Sequence, residues 1–200
     1  MNKKIELRCL DGELRTAGTR QISGYAAVFG QLSEPIGGQF REKIRYGAFS
    51  RSIGGSADIR ALLNHDPNLI LGRTTAGTLQ LTQDGHGLKY TVNLPDNTTG
   101  RDLFESIRRG DITQSSFGFT TNKDEWSKSP DGQSIRELLD VTLFDVSAVT
   151  YPAYPQTSVN VRGNEIGWYT SNGVVIPKAE PTEDDRRKLR LMLQLARMLR

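Results

Sequence analysis

The fold is decided by residues 78–94, Thr78-Leu-Gln-Leu-Thr-Gln-Asp-Gly-His-Gly-Leu-Lys-Tyr-Thr-Val-Asn-Leu94. Two runs of alternating apolar and polar residues lie on either side of an Asp-Gly pair in this stretch. Alternation with a period of two is typical of half-buried strands, and Asp-Gly between two such runs is typical of a hairpin turn. The stretch therefore predicts an antiparallel hairpin, which Pro95 ends.

Strand patterns dominate the rest of the first 160 residues. They occur at 5–9, 22–29, 59–64, 112–121, 135–150 and 158–162. Helical patterns are confined to 46–53 and 99–109, and Gly110 suits the C-terminal cap of the second helix. Because strands and helices do not alternate regularly, the pattern argues against a doubly wound parallel sheet. It predicts an α+β, mostly β protein: an antiparallel barrel or sandwich with accessory helices.

The composition excludes several classes of protein. The chain has 200 residues, of which 36% are hydrophobic, and no window approaches the roughly 20 apolar residues of a membrane-spanning helix. A single cysteine, Cys9, cannot form an internal disulfide, and no cluster of cysteine and histidine indicates structural zinc. The N-terminus also lacks the apolar run of a signal peptide. We therefore expect neither a secreted protein nor a zinc-stabilised fold.

The charge is distributed unevenly along the chain. The net charge is +3, but the excess of basic residues falls within 183–200, so the preceding body is neutral and does not indicate nucleic-acid binding. We predict a globular body over 1–163, a linker over 164–181, and a basic amphipathic helix over 182–200. The wide apolar face of that helix requires a partner surface, either the body of this chain or another protein.

Two histidines limit the search for a catalytic base. His86 lies in the turn of the predicted hairpin, where a solvated loop residue is the ordinary interpretation. His65 follows an apolar strand and precedes Asp66-Pro67, which places the imidazole at a strand end. That position suits a general base, although a structural histidine fits the same pattern.

Ser116 is the candidate nucleophile. In a strand of period two, Phe117 and Phe119 face a core, whereas Gln114, Ser116 and Gly118 face the opposite side. A serine beside a glycine on that side leaves room for a substrate carbonyl, but an ordinary half-exposed strand has the same pattern. Ser115 shares the face of the phenylalanines and is the poorer candidate.

A serine nucleophile and its base need a third group to orient the imidazole. The candidates are Glu137, Asp140 and Asp145, all in the long strand segment. Asp145 lies in an apolar run, where a carboxylate must be paired, so a structural ion pair to an arginine is the alternative. Asp66 adjoins His65, but neighbouring side chains on a strand diverge, so it is a worse orienting group.

Eight short stretches in a fixed order resemble the prohead maturation serine proteases of tailed phages, whose fold is related to that of the herpesvirus assembly proteases. They cover most of residues 20–160, and their joint order is more specific than any one of them. The stretches are 22–29, 47–49, 62–66, 70–74, 77–79, 109–111, Ser116-Phe-Gly-Phe119 and Asp145-Val-Ser-Ala-Val-Thr-Tyr-Pro-Ala153.

The resemblance implies a closed antiparallel β-barrel flanked by helices, with His65 as base and Ser116 as nucleophile. The herpesvirus proteases use a second histidine as the third member, which this chain lacks in its second half. The phage proteases have an acidic residue before Val-Ser, so the resemblance assigns Asp145, with Asp140 as the alternative if the long segment bends differently. Arg73 and nearby backbone amides are candidate oxyanion donors, and no metal or cofactor is required.

The resemblance also implies the biological role. The expected activity is a serine endopeptidase that cleaves the scaffolding segment of the phage major capsid protein, and itself, during maturation. It would act inside the assembling prohead in the host cytoplasm, with no nucleic-acid or membrane partner and with a homodimer as one oligomeric option. The alternative is a non-catalytic scaffold or capsid-interaction protein built on the same barrel.

Overall fold

The computed structural model describes residues 5–10 and 14–151, which contain ten strands and two helices. The first half of the chain contributes β1 (Glu6–Leu10), β2 (Arg15–Thr16), β3 (Gln21–Val28), β4 (Phe40–Ile44), α1 (Ser50–Ile53), β5 (Arg60–Leu63) and β6 (Asp66–Arg73). The remainder contributes β7 (Leu79–Gln83), β8 (Gly87–Asn93), α2 (Thr98–Arg109), β9 (Gln114–Lys128) and β10 (Ser134–Val149). No helix among these residues is long and apolar enough to cross a membrane.

The strands form two sheets. The six-stranded sheet has the order β1-β9-β10-β5-β6 with β4 also paired to β10, and the four-stranded sheet has the order β2-β3-β8-β7. The expectation of a mostly β fold with few helices is confirmed. The antiparallel expectation is wrong for two pairings, because β4 and β5 both run parallel to β10. The pairing gives two sheets, and within the described residues neither closes into the expected barrel.

Local sequence signals produce the elements that were most easily predicted. The Asp-Gly hairpin is confirmed as β7 and β8, which pair antiparallel from Leu79 opposite Val92 to Gln83 opposite Leu88. The second predicted helix is confirmed as α2, where the Asn97 side chain accepts a hydrogen bond from the Gly100 amide at 2.8 Å. Gly110 ends this helix in the left-handed conformation, with a φ of 83°, which favours glycine.

The core lies between the two sheets and fixes which side of β9 faces outward. Phe117 and Phe119 are buried and stacked with ring centroids 4.9 Å apart, and Phe49 packs edge-on against Phe117 at 5.4 Å. Tyr90 of β8 is also buried, and its hydroxyl lies 2.7 Å from Ser115 Oγ. The predicted assignment of faces is therefore confirmed: the phenylalanines enter the core and the alternate residues face away.

Three features differ from the sequence-based expectation. The segment 135–150 is one strand with irregular register, β10, and β9 is longer than predicted. The first helix is shorter, since only Ser50–Ile53 is helical. Strands β2, β4 and β6 have no counterpart among the predicted strands. The strand at 158–162, the linker at 164–181 and the helix at 182–200 lie outside the described residues.

Candidate active site

The antiparallel pairing of β9 with β10 places polar side chains opposite each other on the face of the larger sheet opposite to Phe117 and Phe119. Ser116 lies opposite Ser147, and Gly118 lies opposite Asp145. Residues that pair directly in a sheet project to the same face. The register therefore gathers two hydroxyls and one carboxylate where the sequence is otherwise apolar.

His65 reaches this face from a two-residue turn between β5 and β6. Leu63 and Asp66 pair across the turn, and Asn64 and His65 have φ values of 52° and 57°. Two successive left-handed residues are characteristic of the type I′ hairpin turn, whose handedness matches the twist of the strands. Positive φ values are uncommon for residues other than glycine, and residues held in this region are concentrated at functional sites.

The turn is attached to the end of β10. The Asn64 amide donates to the Ala148 carbonyl at 2.9 Å, and the Asn64 side-chain oxygen accepts from the Thr150 amide at 2.9 Å. Because β5 runs parallel to β10 and its last residue, Leu63, lies opposite Ala148, the turn after β5 lies beside the end of β10. The parallel pairing thus brings the imidazole of His65 over residues of β10 that are distant in sequence.

Ser116, His65 and Asp145 form a continuous hydrogen-bonded chain. His65 Nε2 lies 2.6 Å from Ser116 Oγ, and His65 Nδ1 lies 2.6 Å from Asp145 Oδ1. An ionised carboxylate only accepts hydrogen bonds, so Nδ1 carries the proton and Nε2 accepts from the serine hydroxyl. The side chains of His65 and Ser116 are fully buried, with residue exposures of 1% and 0%. Water therefore competes little with either hydrogen bond.

The position of the Asp145 carboxylate depends on a bulge and a glycine. The register shifts between Leu143 and Asp145, so Phe144 is the extra residue and projects to solvent. Such bulges are common beside active sites, where they redirect a side chain. At Gly118 a Cβ would collide with Asp145 Oδ2. The space beside Ser116 that the sequence suggested for a substrate carbonyl is therefore occupied by the carboxylate.

Ser147 is a further member of this cluster that sequence reasoning missed. Its hydroxyl donates to Asp145 Oδ1 at 2.9 Å and lies 3.2 Å from His65 Nδ1. The backbone amide of His65 donates to the same hydroxyl at 3.3 Å. The signal that could have identified it is the strand period, since Ser147 is two residues from Asp145 and shares its face.

The other candidate carboxylates are engaged elsewhere. Asp140 pairs with Arg51 at 2.9 Å, and Asp66 accepts from the amide of Asn68 at 2.8 Å. Glu137 accepts from Arg45 at 2.9 Å, and this hydrogen bond holds the pKa of Glu137 below its ordinary value. Of the carboxylates considered from the sequence, the structure brings only that of Asp145 to His65.

Two further residues considered from the sequence also lie outside the cluster. Arg73 donates to both oxygens of Asp58, at 2.5 and 2.6 Å, and lowers the pKa of that carboxyl to about 2. His86 remains an exposed turn residue and packs edge-on against Tyr25. No group of three or more potential metal ligands occurs in the part of the chain that the structure describes.

A buried serine, histidine and aspartate connected in this order, on a mostly β fold, are the arrangement of the serine proteases. The family model of the Caudovirus prohead serine protease matches residues 3–171. The chain therefore belongs to the prohead serine protease family of tailed phages and is a serine protease.

The other comparisons are distant. Among solved structures the chain is similar to the capsid assembly protease of bacteriophage T4, with 10% identity, a TM-score of 0.47, and coverage of 76% of this chain and 100% of that one. No curated protein matches the chain.

Proposed function

We propose that this protein is an endopeptidase in which Ser116 is the nucleophile, His65 the general base and Asp145 the group that orients the imidazole. The observation that carries the proposal is the 2.6 Å separation of Ser116 Oγ from His65 Nε2. This is the distance over which a general base removes a hydroxyl proton. Membership of the serine protease family supports the same chemistry.

In the proposed reaction these three side chains move the proton and form the acyl bond. Ser116 Oγ attacks the peptide carbonyl carbon while its proton passes to His65 Nε2. The negative charge of Asp145 stabilises the imidazolium, and its contact with Nδ1 keeps the ring in one tautomer and one orientation. The imidazolium then protonates the leaving amine, which breaks the peptide bond and leaves an acyl group on Ser116. Water, activated by the same imidazole, releases the second product.

We propose that the substrate is the scaffolding segment of the phage major capsid protein, together with the protease itself. The support is the family, which is named for the prohead. The site of action would be the assembling prohead in the host cytoplasm. In this proposal residues 164–181 form a linker and residues 182–200 a basic helix that docks the enzyme inside the particle. Deletion of 164–200 is then expected to abolish incorporation into particles and to leave the body folded.

Co-expression with the capsid protein of the same phage tests the assignment. Defined truncation of the capsid protein is expected with the wild-type chain and should be lost in Ser116→Ala and in His65→Ala. Asp145→Ala should lower the rate strongly, whereas Asp140→Ala, which removes a carboxylate paired to Arg51 outside the site, is the matched control.

Unchanged processing by folded Ser116→Ala and His65→Ala chains would overturn the assignment. A non-catalytic role as a scaffold or capsid-interaction protein would then become the leading hypothesis. If Asp140→Ala lost processing and Asp145→Ala retained it, Asp140 would be the orienting group in place of Asp145.

A further inference from the structure

The hydroxyl of Ser147 joins two parts of the site that the hydrogen bonds of the proposed triad leave unconnected: the Asp145 carboxylate and the backbone of the turn that carries His65. It donates to Asp145 Oδ1 at 2.9 Å and accepts from the backbone amide of His65 at 3.3 Å. One hydroxyl therefore connects the orienting carboxylate to the backbone of the turn that carries the imidazole. The Nδ1 atom of His65 lies 3.2 Å away, so the ring proton faces both Asp145 and Ser147.

The contacts of Ser147 meet two physical requirements of this site. The His65 amide is buried in a left-handed turn, and a buried amide without a partner destabilises the folded state. Among the described residues the Asp145 carboxylate has few polar neighbours, and each donor that contacts a carboxylate restrains its rotation. Ser147 supplies both contacts from β10, directly opposite Ser116.

We infer that Ser147 is a positioning residue for catalysis, which acts by holding the Asp145 carboxylate and the turn of His65 in one geometry. The inference rests on the proposed function, since it assigns Ser147 a role in the same reaction. Ser147 itself has no contact with the reacting oxygen of Ser116 among the hydrogen bonds of the described residues. Its effect must therefore pass through Asp145 and His65.

A double-mutant cycle on the cleavage of co-expressed capsid protein tests this dependence. Ser147→Ala is expected to lower the cleavage rate about 10- to 100-fold, the range for loss of a hydrogen bond to a charged group. In an Asp145→Ala chain the same substitution should lower the rate by a clearly smaller factor, because the contact with the carboxylate is gone and only the contact with the His65 amide remains. Equal losses in both backgrounds would show a structural role and overturn the inference.

A measurement that does not depend on cleavage separates this inference from the proposed function. The proton on His65 Nδ1 can be followed by NMR in a Ser116→Ala chain, which would not process itself. Ser147→Ala is expected to make this proton exchange with water about tenfold faster, because its hydrogen bond to Asp145 becomes less restrained. Unchanged exchange would overturn the inference even if Ser116 is the nucleophile.

The matched control is Ser52→Ala. Ser52 is also a buried serine attached to β10: its hydroxyl donates to the Val141 carbonyl at 2.7 Å and accepts from the Leu143 amide at 3.0 Å. It makes no hydrogen bond to the site, so we expect a lower thermal stability with an unchanged rate per folded molecule and unchanged exchange of the His65 proton. If Ser52→Ala reproduced both effects of Ser147→Ala, general loosening of β10 would explain them and the inference would fail.

Discussion

The strands β9 and β10 carry two polar clusters that differ in the kind of charge they contain. The site cluster consists of His65, Ser116, Asp145 and Ser147. The ionic cluster consists of Glu6, Arg8, Glu42, Asp124 and Arg136. Both clusters are largely removed from water, yet one contains two arginines that stay charged and the other has a histidine that can gain and lose a proton.

The ionic cluster satisfies its charges by multiple contacts. Arg8 donates to both oxygens of Glu42, at 2.7 and 3.0 Å, although Glu42 is only 3% exposed. Arg136 contacts Glu6 at 2.6 Å, Asp124 at 2.7 Å and Glu42 at 3.2 Å. Because a guanidinium group does not release its proton in a protein, Arg8 and Arg136 stay charged and connect β1, β4, β9 and β10 through ion pairs.

The site cluster has the opposite properties. Its central group, His65, sits in a left-handed turn and contacts a hydroxyl on one side and a carboxylate on the other. The same strand pair thus holds arginines, which stay charged, in one cluster and a histidine, a residue type that can exchange a proton, in the other. The comparison predicts that substitutions in the two clusters will separate activity from stability.

The largest expected effect is on activity at the site cluster. Ser116→Ala should lower the rate of peptide cleavage by about 10⁴-fold or more, because it removes the attacking oxygen. The free energy of unfolding should change by less than about 1 kcal/mol, which corresponds to a shift in Tm of about 2–4 °C. Cleavage assays and thermal unfolding of the same preparation check both parts. Substantial residual cleavage would contradict the assignment of the nucleophile.

The next effect is on stability at the ionic cluster. Arg136→Ala leaves the Glu6, Glu42 and Asp124 carboxylates short of a partner and is expected to lower the free energy of unfolding by about 3–5 kcal/mol. The cleavage rate per folded molecule should stay within about twofold, because the hydrogen bonds of Arg136 go to Glu6, Glu42, Asp124 and Thr121 and not to the site cluster. Denaturant unfolding measures the first quantity.

The control for Arg136 is Arg108→Ala, which breaks an exposed pair with Glu105 on α2. Solvent screens the charges of an exposed pair, so its effect on the free energy of unfolding should be small. If Arg136→Ala fails to fold, Arg136→Lys keeps one charge and should show a partial loss of stability. If Arg136→Ala lowered the cleavage rate per folded molecule by much more than twofold, the two clusters would be coupled.

A smaller effect on the cleavage rate is expected at Gly118, where the lack of a side chain leaves room for the Asp145 carboxylate. Gly118→Ala introduces a Cβ that collides with Asp145 Oδ2, so the carboxylate must move away from His65. A displacement of about 1 Å can lower a rate by about 100-fold, and overpacking costs about 1–3 kcal/mol of stability. The matched control is Gly55→Ala, where no atom lies within 4 Å of the added Cβ. Wild-type cleavage by Gly118→Ala would show that the carboxylate can occupy another position.

Features that depend on local sequence signals could be predicted, whereas features that depend on distant partners could not. The hairpin at 78–94 and the helix ending at Gly110 depend on local turn and capping signals, and both predictions are confirmed. Strand β4 was missed because Glu42 interrupts its apolar pattern, and Glu42 is buried only because Arg8 and Arg136 reach it from distant strands. Local patterns contain no information about such partners.

The site likewise contains some features that the sequence predicts and others that it does not. The period of two separated Ser116 from the core-facing phenylalanines, and the resemblance supplied His65 and Asp145 as predictions. The choice of Asp145 over Asp140 depends on a bulge after Leu143 and on the parallel pairing of β5 with β10, neither of which has a local signal. Their roles in catalysis stay predictions until the variants above are measured.

The smallest expected effect concerns the acid sensitivity of the ionic cluster. Burial raises the pKa of Glu6, but hydrogen bonds from Arg136 and Thr121 and the charge of Arg8 outweigh burial and hold it below the ordinary value of 4.5. A carboxyl with a lowered pKa in the folded state contributes stability that is present above the unfolded value and is lost as the pH falls through the folded value. Part of the stability should therefore disappear as the pH falls below about 4.5.

Glu6→Gln tests this contribution. It should lower the free energy of unfolding by about 1–3 kcal/mol at pH 7, the range for a hydrogen bond to a charged group, and should make the decline below pH 4.5 shallower. Glu105→Gln is the control: Arg108 also lowers the pKa of Glu105, but this pair is exposed to solvent and its contribution is screened. Denaturant unfolding between pH 3 and 7 measures both variants. An equally steep acid decline in Glu6→Gln and wild type would mean that other carboxylates set the acid limit, and the ionic cluster would then be no more pH-sensitive than the surface.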